Sequence, residues 1–209
     1  MTGPTLSEYW DRAWTLLGTR RPDRRVFSEL LARHREPERA YHNLQHLEEC
    51  FARFEEVSAL ADRPGEILVA LWFHDAVYNS HASDNEERSA RWAAEVIRAA
   101  GGSGEVGARV SEMILATRHE TAGPSGDAGL LVDIDLAILA APESRFDQYE
   151  EQVRQEYRWV PEPIYRSTRA RVLRQFLTRP SIYCTPAFQE RFGAAARANL
   201  ERSLRRLKR

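Results

Sequence analysis

The sequence has little lysine, and neither sign of charge is in excess. Lys208 is the single lysine among 30 basic residues, and 31 acidic residues give a formal net charge of −1. Without surplus positive charge, the sequence does not predict a surface for a nucleic-acid polymer. Arginine is nevertheless available wherever a planar cation is needed to bind phosphate.

Cysteines are also few, and long apolar runs are absent. Cys50 and Cys184 stand far apart without CxxC spacing, which argues against a disulfide framework or a zinc finger and predicts ordinary reduced thiols. No stretch approaches the roughly 18 consecutive apolar residues of a membrane helix, and the N-terminus lacks the pattern of a signal peptide. We therefore expect a cytoplasmic protein that does not associate with membranes.

What the sequence does contain predicts a single all-α domain over residues 1–209. The 43% hydrophobic content suits one globular core. Proline and glycine separate segments with helical periodicity, and no alternating strand pattern bounded by hairpin turns is found. The stretch TAGPSGDAG, residues 121–129, is the most loop-like and is a candidate lid. The expected helix starts are Thr5 or Ser7, Pro22, Pro37, Pro64, Asp84 or Asn85, residue 104, Pro142, Pro161 and Pro186.

Three separate regions carry residues suited to metal binding. In the string YHNLQH a helical spacing of four predicts His42 and His46 on one helix face, although two histidines at a chance spacing are the simpler alternative. Asn43 stands where a zinc protease of the HExxH type requires glutamate, so that class is rejected.

The second and third regions place carboxylates in apolar surroundings. His74 and Asp75 are expected inside the very apolar helix GEILVALWFHDAVY, where an unpaired carboxylate faces a large desolvation penalty. A metal or a buried arginine would satisfy it. Asp133 and Asp135 lie in LLVDIDLAILAA and point to different sides of a helix. The combined nitrogen and oxygen donors suit Mn, Fe, Co, Ni or Zn better than Ca.

The order of these motifs, H, then HD, then a distant D, resembles the HD superfamily. Its members share an all-α fold with a buried metal site and are mostly metal-dependent phosphohydrolases. The strings YHNLQH, FHDAVY, DNEERSA, ATRH, DIDLAIL and RPSIY resemble a bacterial branch described as predicted HD phosphohydrolases, and they cover most of the chain. The YHNxxH string is also similar to the cyclic nucleotide phosphodiesterases.

The resemblance implies a role for each matching residue. The metal ligands would be His46, His74, Asp75 and Asp135, with Asp135 preferred over Asp133 because the family's ligand precedes a hydrophobic step. His42 would be the general acid that protonates the leaving group after attack by metal-activated water. The implied substrate is a small phosphoester, with a nucleotide as the leading expectation. One branch that hydrolyses nucleoside monophosphates has glutamate where this chain has Tyr78, which argues against a 5'-nucleotidase.

Further polar residues are candidates with simpler alternatives. Glu86 or Glu87 is a candidate to orient the attacking water or to bind a second ion, Mg or Mn. The simpler alternative is that both side chains only cap a helix and stabilise its N-terminus through the helix dipole. Arg118 and His119 are candidate substrate-binding residues, although a histidine near a helix C-terminus also interacts favourably with the dipole. Asn43 belongs with them as part of the YHN string.

Two other functions remain open. Some HD proteins hold two irons and oxidise carbon with dioxygen, and a non-catalytic domain that binds nucleotides around a structural metal is the third alternative. A homodimer formed through an exposed helix face is compatible with the sequence, which does not require one.

Overall fold

The computed structural model describes residues 3–119 and 123–208, and within these ranges the chain is all-helical, without a strand. Short 3-10 turns follow the third and seventh helices, at Ser58–Leu60 and Leu136–Ala140. None of the helices among the described residues is both long enough and apolar enough to cross a membrane. The helices are α1 (Leu6–Leu17), α2 (Arg24–Arg33), α3 (Leu44–Val57), α4 (Pro64–Phe73), α5 (Asn85–Ala99), α6 (Gly104–Ala116), α7 (Gly126–Asp135), α8 (Glu143–Glu156), α9 (Glu162–Thr178) and α10 (Pro186–Leu207).

Helix α4 is the centre of the core. Its residues from 65 to 73 are all buried, and it packs against α1, α3, α5, α6 and α7. Such a helix needs no polar face because every side meets a neighbour. Gly65 lets α1 approach closely, since a Cβ there would lie 2.6 Å from the backbone nitrogen of Leu17.

Aromatic rings fill the space between α1, α2 and α4. Trp72 meets Trp10 edge to face at 5.5 Å and Phe27 at 5.6 Å. Each such pair is worth about 0.5–1.5 kcal/mol beyond its buried area. This rigid layer fixes α4, whose C-terminal end carries His74 and Asp75.

Several helix boundaries confirm the sequence signals. Thr5 forms a capping box with Glu8 at the start of α1, and Gly18 ends this helix in the left-handed conformation. The expected helices after Asp84, from residue 104 and after Pro142, Pro161 and Thr185 are all present.

Other boundaries correct the predictions. No helix begins at Pro37; α3 begins at Leu44 with Asn43 as its N-cap, because the Asn43 side chain accepts a hydrogen bond from the Gln45 amide. Helix α4 ends at Phe73, so His74 and Asp75 lie at its end and not inside it. Residues 126–129 belong to α7 and are not loop, while residues 121 and 122 of the candidate lid lie outside the described residues.

Candidate metal centre

The four side chains expected to bind metal converge from three helices. His46 lies in the first turn of α3, His74 and Asp75 follow α4, and Asp135 is the last residue of α7. The Nε2 atoms of His46 and His74 are 3.1 Å apart. Asp75 Oδ2 lies 3.4 and 3.1 Å from these two nitrogens, and Asp135 Oδ1 lies 3.2 and 3.7 Å from them.

These separations fit a shared metal ion. Ligand atoms about 2.1 Å from one ion lie roughly 3.0–3.4 Å from each other. Among the described residues, none forms a hydrogen bond of good geometry to the buried Asp75 Oδ2. A buried carboxylate oxygen of this kind requires a cation or a donor. The donor set therefore fits a divalent metal.

The ring of His74 is oriented for ligation. Its Nδ1 lies 2.9 Å from the Leu71 carbonyl, which can only accept a hydrogen bond. Nδ1 therefore carries a proton, and in the metal-bound state Nε2 would be the nitrogen that offers its lone pair to the ion held with Asp75 and Asp135.

Both carboxylates are ionised in this environment. Burial raises the pKa of Asp135, but hydrogen bonds from His119 and His46 and the nearby His74 outweigh burial and lower it. Burial likewise raises the pKa of Asp75, and His74, His42 and His46 lower it well below its usual value. Ionised carboxylates are the form that binds metal.

Cys50 belongs to this cluster, which the sequence did not predict. Its buried Sγ lies 3.7 Å from His46 Nε2, and it joins His46, His74 and Asp135 in a group whose ligand atoms lie within 4.8 Å of one another. Burial raises the pKa of the thiol. A cavity of about 220 Å3 touches His46, Cys50 and Asp135. The spacing of His46 and Cys50, one helical turn, was the available signal.

A polar cleft of about 360 Å3 opens beside the carboxylates. We call it the site cleft; it contains four of the expected site residues outside the ligand set. Its lining residues are His42, Asp75, Tyr78, Ala82, Ser83, Asn85, Glu86, Thr117, Arg118, His119, Asp135 and Tyr157.

His42 reaches this cleft from a turn, not from a helix face shared with His46, which corrects the sequence prediction. Because α3 begins at Leu44, His42 precedes the helix, yet its ring centroid is still 6.0 Å from that of His46. Its Nδ1 lies 2.7 Å from Glu156 Oε2, and its ring stacks on Tyr78 at 4.1 Å.

Glu156 is a further candidate site residue that sequence analysis missed. Its buried carboxylate accepts hydrogen bonds from the Tyr41 and His42 amides, at 2.7 and 3.0 Å, and from the Tyr78 hydroxyl at 2.8 Å. Burial raises the pKa of Glu156, but His42 and the two amides outweigh burial and lower it. An ionised Glu156 fixes Nδ1 of His42 as a donor and leaves Nε2 free.

Asn43 is occupied within the fold. Its Oδ1 caps α3, and its Nδ2 donates to the Ala40 carbonyl at 2.7 Å. Asn43 is not among the described residues that line the site cleft. Its position helps to fix the turn that carries His42.

The glutamates expected near the site form ion pairs with Arg118. Arg118 Nε lies 3.6 Å from Glu86 Oε2, and its terminal nitrogen pairs with Glu87. Glu86 and Arg118 line the site cleft, whereas Glu87 lies behind them on α5. The guanidinium is therefore held in place and partly neutralised.

His119 is joined directly to the metal cluster. Its Nε2 donates to Asp135 Oδ2 at 3.1 Å, leaving Oδ1 of the same carboxylate facing His46 and His74. His119 has a positive φ of 58°, which is uncommon for a residue other than glycine. Arg179 donates to its carbonyl and stabilises this conformation.

Asp133 has a structural task, which separates it from Asp135. It is fully buried and accepts hydrogen bonds from the amides of Cys184 and Thr185, at 2.6 and 2.7 Å, and from the Thr185 hydroxyl. It thus fastens the start of α10 to α7 and faces away from the histidines.

Comparisons with models of known families, with curated proteins and with solved structures return no match for this chain. The assignment of function therefore depends on the geometry and chemistry of the site.

Proposed function

We propose that the chain is a metal-dependent phosphohydrolase of the HD superfamily that acts on a small phosphoester, with a nucleotide as the leading substrate class. One observation carries the proposal. A buried donor set of His46, His74, Asp75 and Asp135 borders a polar cleft that also contains His42, a histidine held by a carboxylate.

The donor set determines what the centre can bind. Two imidazoles and two carboxylates suit Mn, Fe, Co, Ni or Zn, and the thiol of Cys50 adds a soft donor that favours zinc. When bound, such an ion acts as a Lewis acid, lowering the pKa of water and withdrawing charge from phosphoryl oxygens. Asp135 Oδ2 is available to a second ion, Mg or Mn, which would replace the His119 proton that now bonds to it.

His42 is suited to protonate the leaving group. Glu156 accepts from Nδ1, so the proton on Nε2 is the one that can pass to the leaving oxygen. As the bond between phosphorus and that oxygen breaks, the electron pair stays on oxygen and the proton neutralises it. General acid catalysis of this kind contributes about 10²- to 10⁴-fold in rate.

Other residues that line the site cleft are suited to orient the substrate. Arg118 supplies a guanidinium whose position is fixed by Glu86 and Glu87. His119 can donate to a phosphate oxygen when its bond to Asp135 is exchanged. Glu86, already in the cleft, is placed to accept a proton from an attacking water.

Metal content and turnover of matched variants test the proposal. The protein is purified without added metal, and metal is measured by mass spectrometry beside an assay on a panel of phosphoesters. We expect metal in the wild type, little in Asp75→Ala, and retained metal with turnover reduced at least about 100-fold in His42→Ala. Asp62→Ala, which removes an exposed carboxylate, is the control and should match the wild type.

Three outcomes contradict parts of the proposal. Equally low metal in wild type and Asp75→Ala, with no activity after adding Mn or Co, rejects the four-ligand centre. Activity that requires iron and dioxygen and is lost anaerobically identifies an oxygenase. A metal-loaded protein that binds nucleotides but hydrolyses none of the panel identifies a binding domain.

A further inference from the structure

A second pocket of about 440 Å3, here called the Trp159 pocket, lies next to the site cleft. Trp159 follows α8, its indole Nε1 donates to Ser80 Oγ at 3.0 Å, and His81 stacks on its ring at 4.0 Å and 21°. About half of the Trp159 side chain is nevertheless exposed, at 49%. A large exposed indole beside a cavity is a surface on which another planar ring can stack.

The turn that carries Trp159 is held rigidly. Arg154 donates to the carbonyls of Tyr157 and Val160, one on each side of Trp159. Its guanidinium is in turn paired with Glu162 at 2.8 Å. The indole is therefore presented in a fixed position, which reduces the entropy lost when a ligand binds.

The Trp159 pocket and the site cleft share one wall. Tyr78 lines both, and Glu156, which lines the Trp159 pocket, holds His42, which lines the site cleft. His42 is the group proposed to protonate the leaving oxygen. A leaving group protonated by His42 would therefore lie next to the wall that the site cleft shares with the Trp159 pocket.

The charges of the two pockets differ. The Trp159 pocket is lined by Glu36, Glu38 and Glu156, of which Glu36 pairs with Arg39 and Glu156 with His42, and by one guanidinium, that of Arg158. A phosphate there would meet carboxylate oxygens whose partners are already engaged, which disfavours a second phosphate. The site cleft, in contrast, holds Arg118, His119 and the metal cluster and suits the phosphate.

We propose that the Trp159 pocket is a subsite for a planar aromatic or heteroaromatic ring carried by the leaving group, with Trp159 as the stacking surface. The substrate class is therefore an uncharged ring joined through a short linker to a phosphoester. The assignment of this ring to a leaving group rests on the proposed function, whereas binding of the ring does not.

Ring binding is tested without any turnover, by saturation-transfer NMR on the intact protein. We use adenosine as the ring-bearing probe and ribose as its matched partner, because the two differ only in the base. We expect saturation of the adenosine ring protons by the wild type and no comparable signal for ribose. Trp159→Ala should weaken adenosine binding about tenfold, the scale of one stacking contact. Trp159→Phe should restore most of it.

Leu60→Ala, which truncates an equally exposed apolar side chain elsewhere, is the control and should bind adenosine like the wild type. Equal signals for adenosine and ribose in the wild type overturn the subsite, and this result does not depend on how any variant folds. Unchanged adenosine binding in Trp159→Ala overturns it as well.

Kinetics then separate this inference from the proposed function. For a phosphoester with a ring on its leaving group, Trp159→Ala should raise KM about tenfold and change kcat less than about twofold. Esters of simple sugars should show no change. If the protein binds adenosine through Trp159 but hydrolyses no phosphoester, the subsite is supported and the proposed hydrolase is rejected. If the enzyme is active and Trp159→Ala changes neither KM nor kcat for either kind of ester, only the subsite is rejected.

Discussion

At the scale of single residues, Glu156 determines the orientation of His42. One carboxylate serves four donors, and two of them are the amides of the turn that carries His42. Because Glu156 is ionised and buried, replacing it changes both the charge beside the imidazole and the geometry of the turn. Glu156 therefore fixes the position of His42, the residue proposed as the general acid.

We predict that Glu156→Gln lowers kcat by about 10- to 100-fold with little change in bound metal, because partners that orient a functional histidine typically contribute on that scale. Steady-state kinetics and metal analysis measure the two effects. Glu151→Gln, the same change at an exposed position of α8, is the control and should leave both unchanged. Wild-type kcat in Glu156→Gln would contradict the role of the pair.

The sequence identified those site residues whose surroundings are unusual. Asp75 and Asp135 stand in apolar segments, where a carboxylate needs a cation, and both lie in the cluster. The sequence did not single out Glu156, because its segment, ESRFDQYEEQVRQEY, is rich in charged residues and predicts a helix with a solvent-exposed face. Only the tertiary fold shows that Glu156, unlike the other glutamates of this segment, is buried beneath the turn that carries His42.

At the scale of helices, Arg39 joins the turn before α3 to the end of α4. It is buried and donates to the carbonyls of His42, Asp75 and Ala76, and it pairs with Glu36. These bonds connect the segment that carries His42 to the segment that carries His74 and Asp75. The relative position of His42 and Asp75 therefore depends on one guanidinium.

We predict that Arg39→Lys destabilises the fold by roughly 2–4 kcal/mol, because the compact ammonium lacks the planar fork that reaches three carbonyls and Glu36 at once, and buried acceptors lose their donors. Urea unfolding measures this loss, and metal retention should fall with it. Arg35→Lys, at an exposed position nearby, is the matched control. Equal unfolding midpoints for the two variants would show that Arg39 is dispensable.

Helix starts were predictable from local signals at most places, but not at Pro37. Helices begin at or next to Thr5, Pro64, Pro142, Pro161 and Pro186, as the sequence predicts. Pro37 does not begin one, because Arg39 and Glu156 bond the backbone between it and Asn43 in a turn. Glu156 is distant from this turn in the sequence, and nothing in the sequence marks Arg39 among the many arginines. Rules for helix starts that use only neighbouring residues therefore could not predict the turn.

At the scale of the whole molecule, the metal cluster joins elements that form one core. The ligands come from α3, the end of α4 and α7, and these helices pack on each other. A bound ion would therefore stabilise the entire domain and not one loop. The single domain predicted from the sequence likewise implies that metal binding stabilises the whole chain.

We predict one cooperative thermal transition whose midpoint falls by about 5–10 °C when metal is removed by a chelator. An ion present at 100 times its dissociation constant stabilises a fold by about 2.7 kcal/mol, and each kcal/mol shifts the midpoint of a chain this long by about 2–4 °C. Calorimetry measures the shift. Asp75→Ala should show no response to chelator, and two separate transitions in the wild type would refute the single domain.

The wide spacing of the ligands along the chain also bears on folding kinetics. His46 and His74 are 28 residues apart, and Asp135 lies three helices further on, at the end of α7. An unfolded chain must close these long loops before the four donors meet, so the centre exists only once the fold is nearly complete. An interaction formed after the transition state slows unfolding and leaves the folding rate almost unchanged. The ion would thus lengthen the lifetime of the native protein without speeding its formation.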